Sequence, residues 1–159
     1  MELINDCCTE ILTERLICLK AEVKTAEEAI QLAADKLVEQ GFVKSGYAEA
    51  VIEREKTYPT GLAGAGYNIA IPHTNPEFVI KPGMAIVIPK EPVTFAMMGT
   101  PTEKLECQMI FPLAMEHPDK QLQLLMKLMS FFQSKEILKQ IHEAEDASTI
   151  VQLLKDLEN

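Results

Sequence analysis

Tryptophan is absent from this chain, and no apolar run approaches the length of a membrane span. The 159 residues include no Trp, 3 Tyr and 6 Phe. The longest uncharged apolar runs, such as 84–88, are far shorter than the roughly 20 residues that a membrane-spanning helix needs. The first six residues also lack the basic start of a signal peptide. We therefore expect no direct membrane insertion and a location in the cytoplasm.

Basic residues are few. The chain has 15 Lys and Arg against 24 Asp and Glu, which gives a formal charge of -9. Phosphate backbones are bound by clustered Lys and Arg, and the lysines here are scattered singly. The composition thus argues against a nucleic-acid partner.

The signatures of metal sites and of common enzyme classes are missing. The four cysteines (7, 8, 18 and 107) form no CxxC pair, so we expect reduced, buried or incidental thiols. The histidines at 73, 117 and 142 have no metal-ligand spacing. There is no GxSxG elbow, and the glycine-rich segment 61–66 leads into a predicted strand, unlike a nucleotide-binding loop. The sequence predicts no metal and no cofactor.

What is present is an alternation of strand and helix patterns over 1–159, read as one domain. Thr25 stands three residues before Glu28, which is the capping-box spacing, and Gly41 ends that helix. The mixture predicts an α/β fold in which a mixed β-sheet is sandwiched between α-helices. The predicted strands are 15–19, 68–71, 84–88, 93–95 and 108–113. The other predicted helices are 48–55, one beginning at Pro118, 137–141, and 149–157 capped by Ser148 or Asp146.

The most informative segment is Ile69-Ala70-Ile71-Pro72-His73-Thr74, where a short apolar run brings a histidine to a strand end. Pro72 cannot continue a ladder, so it fixes where the imidazole points. Near pH 7 this imidazole could serve as a base, a ligand or a phosphoryl acceptor, or it could be structural. Arg54 reads as a solvated helix residue unless its guanidinium reaches His73, where it would hold an anion.

These residues occur in the order Glu53-Arg54-Glu55, Thr60-Gly61-Leu62, 69–73, and then a leucine-rich helix from Gln121. This set resembles the enzyme IIA domain of the mannitol/fructose family (EIIA type 2) of the bacterial phosphoenolpyruvate-dependent sugar phosphotransferase system. The resemblance runs over essentially the whole chain.

Two departures from the family pattern matter. The loop 63–68 is longer than in most members, which looks like the galactitol-specific branch. Many members carry a second active-site histidine in an HLxxL pattern, whereas Gln121 occupies that position here. His117 lies four residues earlier, so either Gln121 or His117 is the candidate supporting group.

The resemblance implies a phosphoryl carrier. His73 would accept phosphate on its Nε2 (tele) nitrogen from the carrier protein HPr and pass it to a cysteine of a galactitol-type enzyme IIB, which feeds the membrane component IIC. Arg54, with Gln121 or His117, would hold the phosphoryl oxygens, and Thr74 would orient the imidazole.

Two alternatives stay open. Similar domains act as phosphorylation sensors that bind protein partners, as in the nitrogen-regulatory branch. The other alternative is a non-enzymatic α/β domain in which His73 is a core residue.

Overall fold

The computed structural model describes residues 13–64, 66–115, 126 and 129–158. Nine strands and four α-helices lie wholly within this part of the chain, together with two short 3-10 turns at Glu14–Leu16 and Pro76–Phe78. The strands are β1 (Ile17–Ala21), β2 (Gly61–Ala63), β3 (Asn68–Ala70), β4 (Gly83–Met84), β5 (Ile86–Pro89), β6 (Val93–Met97), β7 (Thr100–Cys107), β8 (Met109–Ile110) and β9 (Leu113–Ala114). The helices are α1 (Ala26–Glu39), α2 (Tyr47–Thr57), α3 (Lys135–Glu143) and α4 (Ala147–Glu158).

Seven strands form one mixed sheet in the order β1-β5-β8-β3-β2-β6-β7, and β4 pairs with β9 in a separate two-stranded sheet. The β1/β5, β3/β8 and β2/β6 pairs are parallel, whereas β5/β8, β2/β3 and β6/β7 are antiparallel. The strand that leads to His73, β3, therefore lies at the centre of the sheet. This confirms the predicted mixed sheet.

Helices cover both faces of the sheet, as expected. Along a strand, successive side chains point to opposite faces. Accordingly, Val87 packs in one core cluster with residues of α1 and α2, while Ile86 and Ile88 pack in a second cluster with residues of α3 and α4. Both clusters contain fully buried side chains, so the sheet is the middle layer of three.

The helix starts follow from their capping residues. The Thr25 hydroxyl accepts a hydrogen bond from the Glu28 N–H at 3.1 Å, which confirms the predicted start of α1. Ser134 caps α3 in the same way. Of the two candidates for α4, Asp146 is the cap, because its carboxylate accepts from the Thr149 N–H at 2.9 Å.

Several predicted boundaries are wrong. The first strand begins at Ile17, because Glu14–Leu16 forms a 3-10 turn that buries Leu16. The glycine-rich segment begins with strand β2, where the backbone of Gly61 lies so close to β6 that an added Cβ would be 2.6 Å from the Ala96 carbonyl oxygen. The strands expected at 84–88 and 108–113 are each divided in two. Both divisions occur where these segments meet, because Pro112 has no N–H to donate and its carbonyl accepts a hydrogen bond from the Ala85 N–H.

Strand β7 was not predicted. The eight residues from Thr100 pair with β6 in an antiparallel hairpin. Most of these residues are exposed and polar, so they lack the apolar alternation that identifies a strand.

The predicted helix from Pro118 falls largely outside the described residues, although 126 and 129–132 are helical. Among the described residues, no helix combines the length and apolar character needed to cross a bilayer. Burial raises the pKa of both described thiols, Cys18 and Cys107, so neither is a reactive thiolate.

Candidate active site

His73 lies three residues beyond Ala70, the last residue of strand β3. The neighbouring segment holds this strand end on one side: the Phe111 N–H donates to the Ala70 carbonyl, and the Leu113 N–H donates to the Pro72 carbonyl, both at 2.8 Å. Ala70 and Pro72 are buried, whereas His73 is half-buried. The backbone therefore delivers the imidazole from a rigid strand end to the protein surface, as the sequence predicted.

One hydrogen bond defines the protonation of this imidazole. His73 Nδ1 lies 2.9 Å from the carbonyl oxygen of Ile71. A carbonyl oxygen only accepts, so Nδ1 carries the proton and Nε2 keeps its lone pair. The nitrogen that remains for a reaction is Nε2.

The surroundings keep this ring neutral. Burial lowers the pKa of His73 below its usual value, and the positive charge of Arg54 lowers it further, while the hydrogen bond to Ile71 works in the opposite direction. Near pH 7 the side chain is therefore an uncharged nucleophile.

Arg54 stands on α2 close enough to His73 for this effect on its pKa. Its side chain is half-buried, its Nε is buried without a hydrogen-bond partner among the described residues, and its guanidinium carbon lies 5.1 Å from the ring centroid of Tyr58. Arg54 and Thr74 line the same open cleft, whose volume is about 310 Å³. A guanidinium with an unused donor next to a neutral imidazole has the chemistry to bind an anion.

Two further residues build the site, and the sequence prediction gave them no role. Both carboxylate oxygens of Glu55 accept from Thr60, one from its N–H at 2.8 Å and the other from its hydroxyl at 2.9 Å. Thr60 is 3% exposed, so its hydroxyl is buried. The signal was present, since Glu55 and Thr60 belong to the motif that gave the resemblance.

The remaining predicted site residues are placed as follows. Thr74 lines the cleft, while the hydrogen bond that orients the imidazole comes from Ile71, so an orienting role for Thr74 stays a prediction. His117 and Gln121 lie outside the described residues. His142 is half-buried against Tyr67, with ring centroids 5.1 Å apart.

Within the described ranges, no three His, Cys, Asp or Glu side chains are grouped as metal ligands would be. The functional groups that are brought together are the imidazole, the guanidinium and the Glu55–Thr60 pair. Fold and site thus define a three-layer α/β domain centred on a neutral histidine at a strand end.

Comparison with known proteins identifies the family. Residues 10–157 match the family described as "Phosphoenolpyruvate-dependent sugar phosphotransferase system, EIIA 2". The chain belongs to this family and is a phosphotransferase component of that system, as the motif predicted.

The relatives include free-standing and multidomain proteins. The mannitol-specific phosphotransferase enzyme IIA component of Halalkalibacterium halodurans is 30% identical over 153 residues, covering 92% of this chain and 96% of its own length. The mannitol-specific EIICBA component of Pasteurella multocida is 30% identical over 148 residues, or 91% of this chain. The match spans only 23% of that longer protein.

Solved structures have the same fold. The nitrogen regulatory protein IIA-Ntr of Neisseria meningitidis superposes with a TM-score of 0.71 at 26% identity, covering 96% of this chain and 99% of its own. Enzyme IIA-Mtl of Escherichia coli, solved in complex with phosphorylated enzyme IIB-Mtl, gives 0.73 at 24% identity and covers 91% and 97%. The second likeness supports the α/β fold alone.

Proposed function

We propose that this chain carries a phosphoryl group on Nε2 of His73, taking it from phosphorylated HPr and passing it to a cysteine of a cognate enzyme IIB. The observation that carries the proposal is the Nδ1 hydrogen bond to Ile71, which leaves Nε2 as the free nucleophile on a neutral ring. Membership of the EIIA family supplies the donor and acceptor classes.

The transfer step balances without a cofactor. The Nε2 lone pair attacks phosphorus in line with the P–N bond of the donor phosphohistidine. That bond breaks, and its electron pair returns to the donor imidazole. His73 keeps its Nδ1 proton throughout. In the second step a cysteine sulfur of IIB attacks the same phosphorus, and His73 becomes the leaving group.

Catalysis of such a transfer depends mainly on positioning and on charge stabilisation around the equatorial oxygens. Arg54 fits the second task, because its buried Nε is unused among the described residues and the cleft beside Thr74 admits solvent. Gln121 or His117 is proposed as a second donor to the phosphoryl oxygens, on the basis of the family pattern alone.

The test is labelling by phosphorylated HPr. His73→Ala should lose all labelling, whereas His142→Ala, which removes the other described histidine, should be labelled as the wild type is. The adduct should be acid-labile and base-stable, as phosphohistidine is. Full labelling of His73→Ala would contradict the assignment, and an acid-stable adduct would point to Ser or Thr.

The choice of sugar is the finer part of the proposal. The galactitol branch rests on the length of the 63–68 loop, whereas the relatives named above are mannitol components. Transfer from the phosphorylated chain to IIB proteins for galactitol, fructose and mannitol would identify the partner. The proposed role places the chain in the cytoplasm, with IIC reached only through IIB.

A regulatory role is the alternative, and the likeness to IIA-Ntr is the observation that favours it. Both roles use the same phosphohistidine, so labelling does not separate them. A chain that accepts phosphate from HPr and then transfers it to no IIB would favour the regulatory role.

A further inference from the structure

We propose that Glu55 is a positioning residue for the transfer, which fixes the tautomer and direction of His73 through Thr60 and the backbone of Ile71. The inference rests on the proposed function, because it concerns how Nε2 is kept free. In this proposal Glu55 acts only through these two intermediates.

The first link is the contact between Glu55 and Thr60. The carboxylate receives both the N–H and the hydroxyl of Thr60, at 2.8 and 2.9 Å. Thr60 is 3% exposed, so water cannot readily replace either bond. Glu55 therefore locks both the backbone and the side chain of Thr60.

The second link joins Thr60 to the histidine strand. In the antiparallel β2/β3 pair, Gly61 is opposite Ala70 and Ala63 is opposite Asn68. The next pair in this register is Thr60 with Ile71, and the Ile71 N–H does donate to the Thr60 carbonyl, at 3.3 Å. Fixing Thr60 thus extends the ladder by one residue toward His73.

The third link is the hydrogen bond from His73 Nδ1 to the Ile71 carbonyl at 2.9 Å. Free histidine in water favours the proton on Nε2, which would block the nucleophile. The fold has to reverse this preference, and it does so only while the Ile71 carbonyl stays in the plane of the imidazole. If the carbonyl moves out of this plane, the imidazole can rotate and its proton can move from Nδ1 to Nε2.

The same contact keeps Arg54 available. Glu55 follows Arg54 in the chain, and the two charges interact, since Arg54 lowers the pKa of Glu55 against the larger effect of burial. Both oxygens of Glu55 are nevertheless directed to Thr60. The guanidinium Nε keeps an unused donor in the described part of the chain. Adjacent residues of one helix therefore supply a support for the histidine and, among the described residues, a guanidinium Nε that keeps a free donor.

The experiment measures tautomer and rate in the same variants of the full chain. The 15N chemical shifts of the His73 ring at pH 8 report which nitrogen carries the proton, and labelling by phosphorylated HPr gives the rate. In Glu55→Ala, we expect a sizeable Nε2-protonated population and a rate at least tenfold lower, since small misplacements cost about that much or more. Glu49→Ala removes an exposed carboxylate from the same helix and should change neither readout.

Glu55→Gln is the conservative variant. Its amide oxygen can accept from the Thr60 N–H while its NH2 group donates to the hydroxyl, so the rate should stay within about threefold of wild type and the tautomer unchanged. Thr60→Val, which loses only the hydroxyl, should fall between the two and serves if Glu55→Ala does not fold. Thr60→Ser restores the hydroxyl and should recover most of the rate.

The outcomes are separable from those of the proposed function. If Glu55→Ala and Thr60→Val melt at a lower temperature but keep the wild-type tautomer and rate, Glu55 is merely structural and the inference is overturned. The tautomer is measured without any phosphoryl donor. It therefore tests Glu55 even if HPr fails to label the wild-type chain, a result that would count against the proposed function alone.

Discussion

The end of β3 and the β6–β7 hairpin differ in how many neighbouring segments hold them by hydrogen bonds. β3 has three residues, yet its end and the segment after it are held from two different parts of the chain, by Thr60 on one side and by Phe111 and Leu113 on the other. β7 has eight residues, most of them exposed, and among the described strands it pairs with β6 alone. Strand length is therefore a poor guide to how firmly hydrogen bonds hold a segment. The short strand is the better support for a reactive group.

The two regions should differ most in how the removal of one cation changes the rate of labelling. Arg54→Ala should slow labelling of the chain by phosphorylated HPr roughly 100-fold, as loss of one preorganised donor does elsewhere. Lys104→Ala, which removes an exposed cation from the hairpin, should change the rate less than twofold. Arg54→Lys should lie between, because it keeps the charge and loses the planar fork. Equal labelling rates for Arg54→Ala and Lys104→Ala would contradict the expected difference between the two regions.

The same contrast explains what the sequence could predict. Thr25, Gly41 and the run 69–73 act through local chemistry, namely a cap, a positive φ and a strand end, so the helix and the histidine were correctly placed. β7 was missed because its residues face water and are fixed by their partner strand.

The support around His73 was missed for a related reason. Glu55 and Thr60 are five positions apart in the sequence, which suggests no contact, and Thr60 and Ile71 are eleven positions apart. The second contact exists because β2 and β3 pair antiparallel, and the first because the chain between α2 and β2 brings Thr60 back to Glu55. A single sequence records the residue types of such a network, and only the fold shows which of them meet.

A matched pair of hydroxyl deletions tests the comparison through stability. The Tyr47 hydroxyl is buried and donates to the Leu113 carbonyl at 2.6 Å, and the Leu113 N–H in turn holds Pro72 beside His73. Tyr47→Phe should lower the free energy of unfolding by about 1–3 kcal/mol, since it leaves a buried carbonyl unsatisfied. Thr94→Val breaks an exposed 2.6 Å bond to Glu106 in the hairpin and should cost under about 0.5 kcal/mol. Urea denaturation measures both, and equal losses would contradict the contrast.

The smallest expected effect is a dependence of stability on pH that originates at Glu55. Burial raises the pKa of this carboxyl to about 6, against the opposing effects of Thr60 and Arg54. Between pH 4.5 and 6 the folded state therefore binds more protons at this residue than the unfolded state does. This contribution to the free energy of unfolding is present below pH 4.5 and is lost as the pH rises through 6.

Glu55→Gln removes that contribution and leaves the other groups in place. The stability of the variant relative to wild type should rise between pH 4.5 and 7 by about 1 kcal/mol, after allowance for solvent screening of a half-buried group. The lowered pKa of His73 acts with the opposite sign, destabilising the fold as the pH falls below 6.5, and it cancels because both proteins carry His73. Urea denaturation across this range measures the difference. A difference that stays constant with pH would mean that the Glu55 carboxylate is ionised in the fold at no cost, and the region around His73 would then resemble the exposed hairpin in its electrostatics.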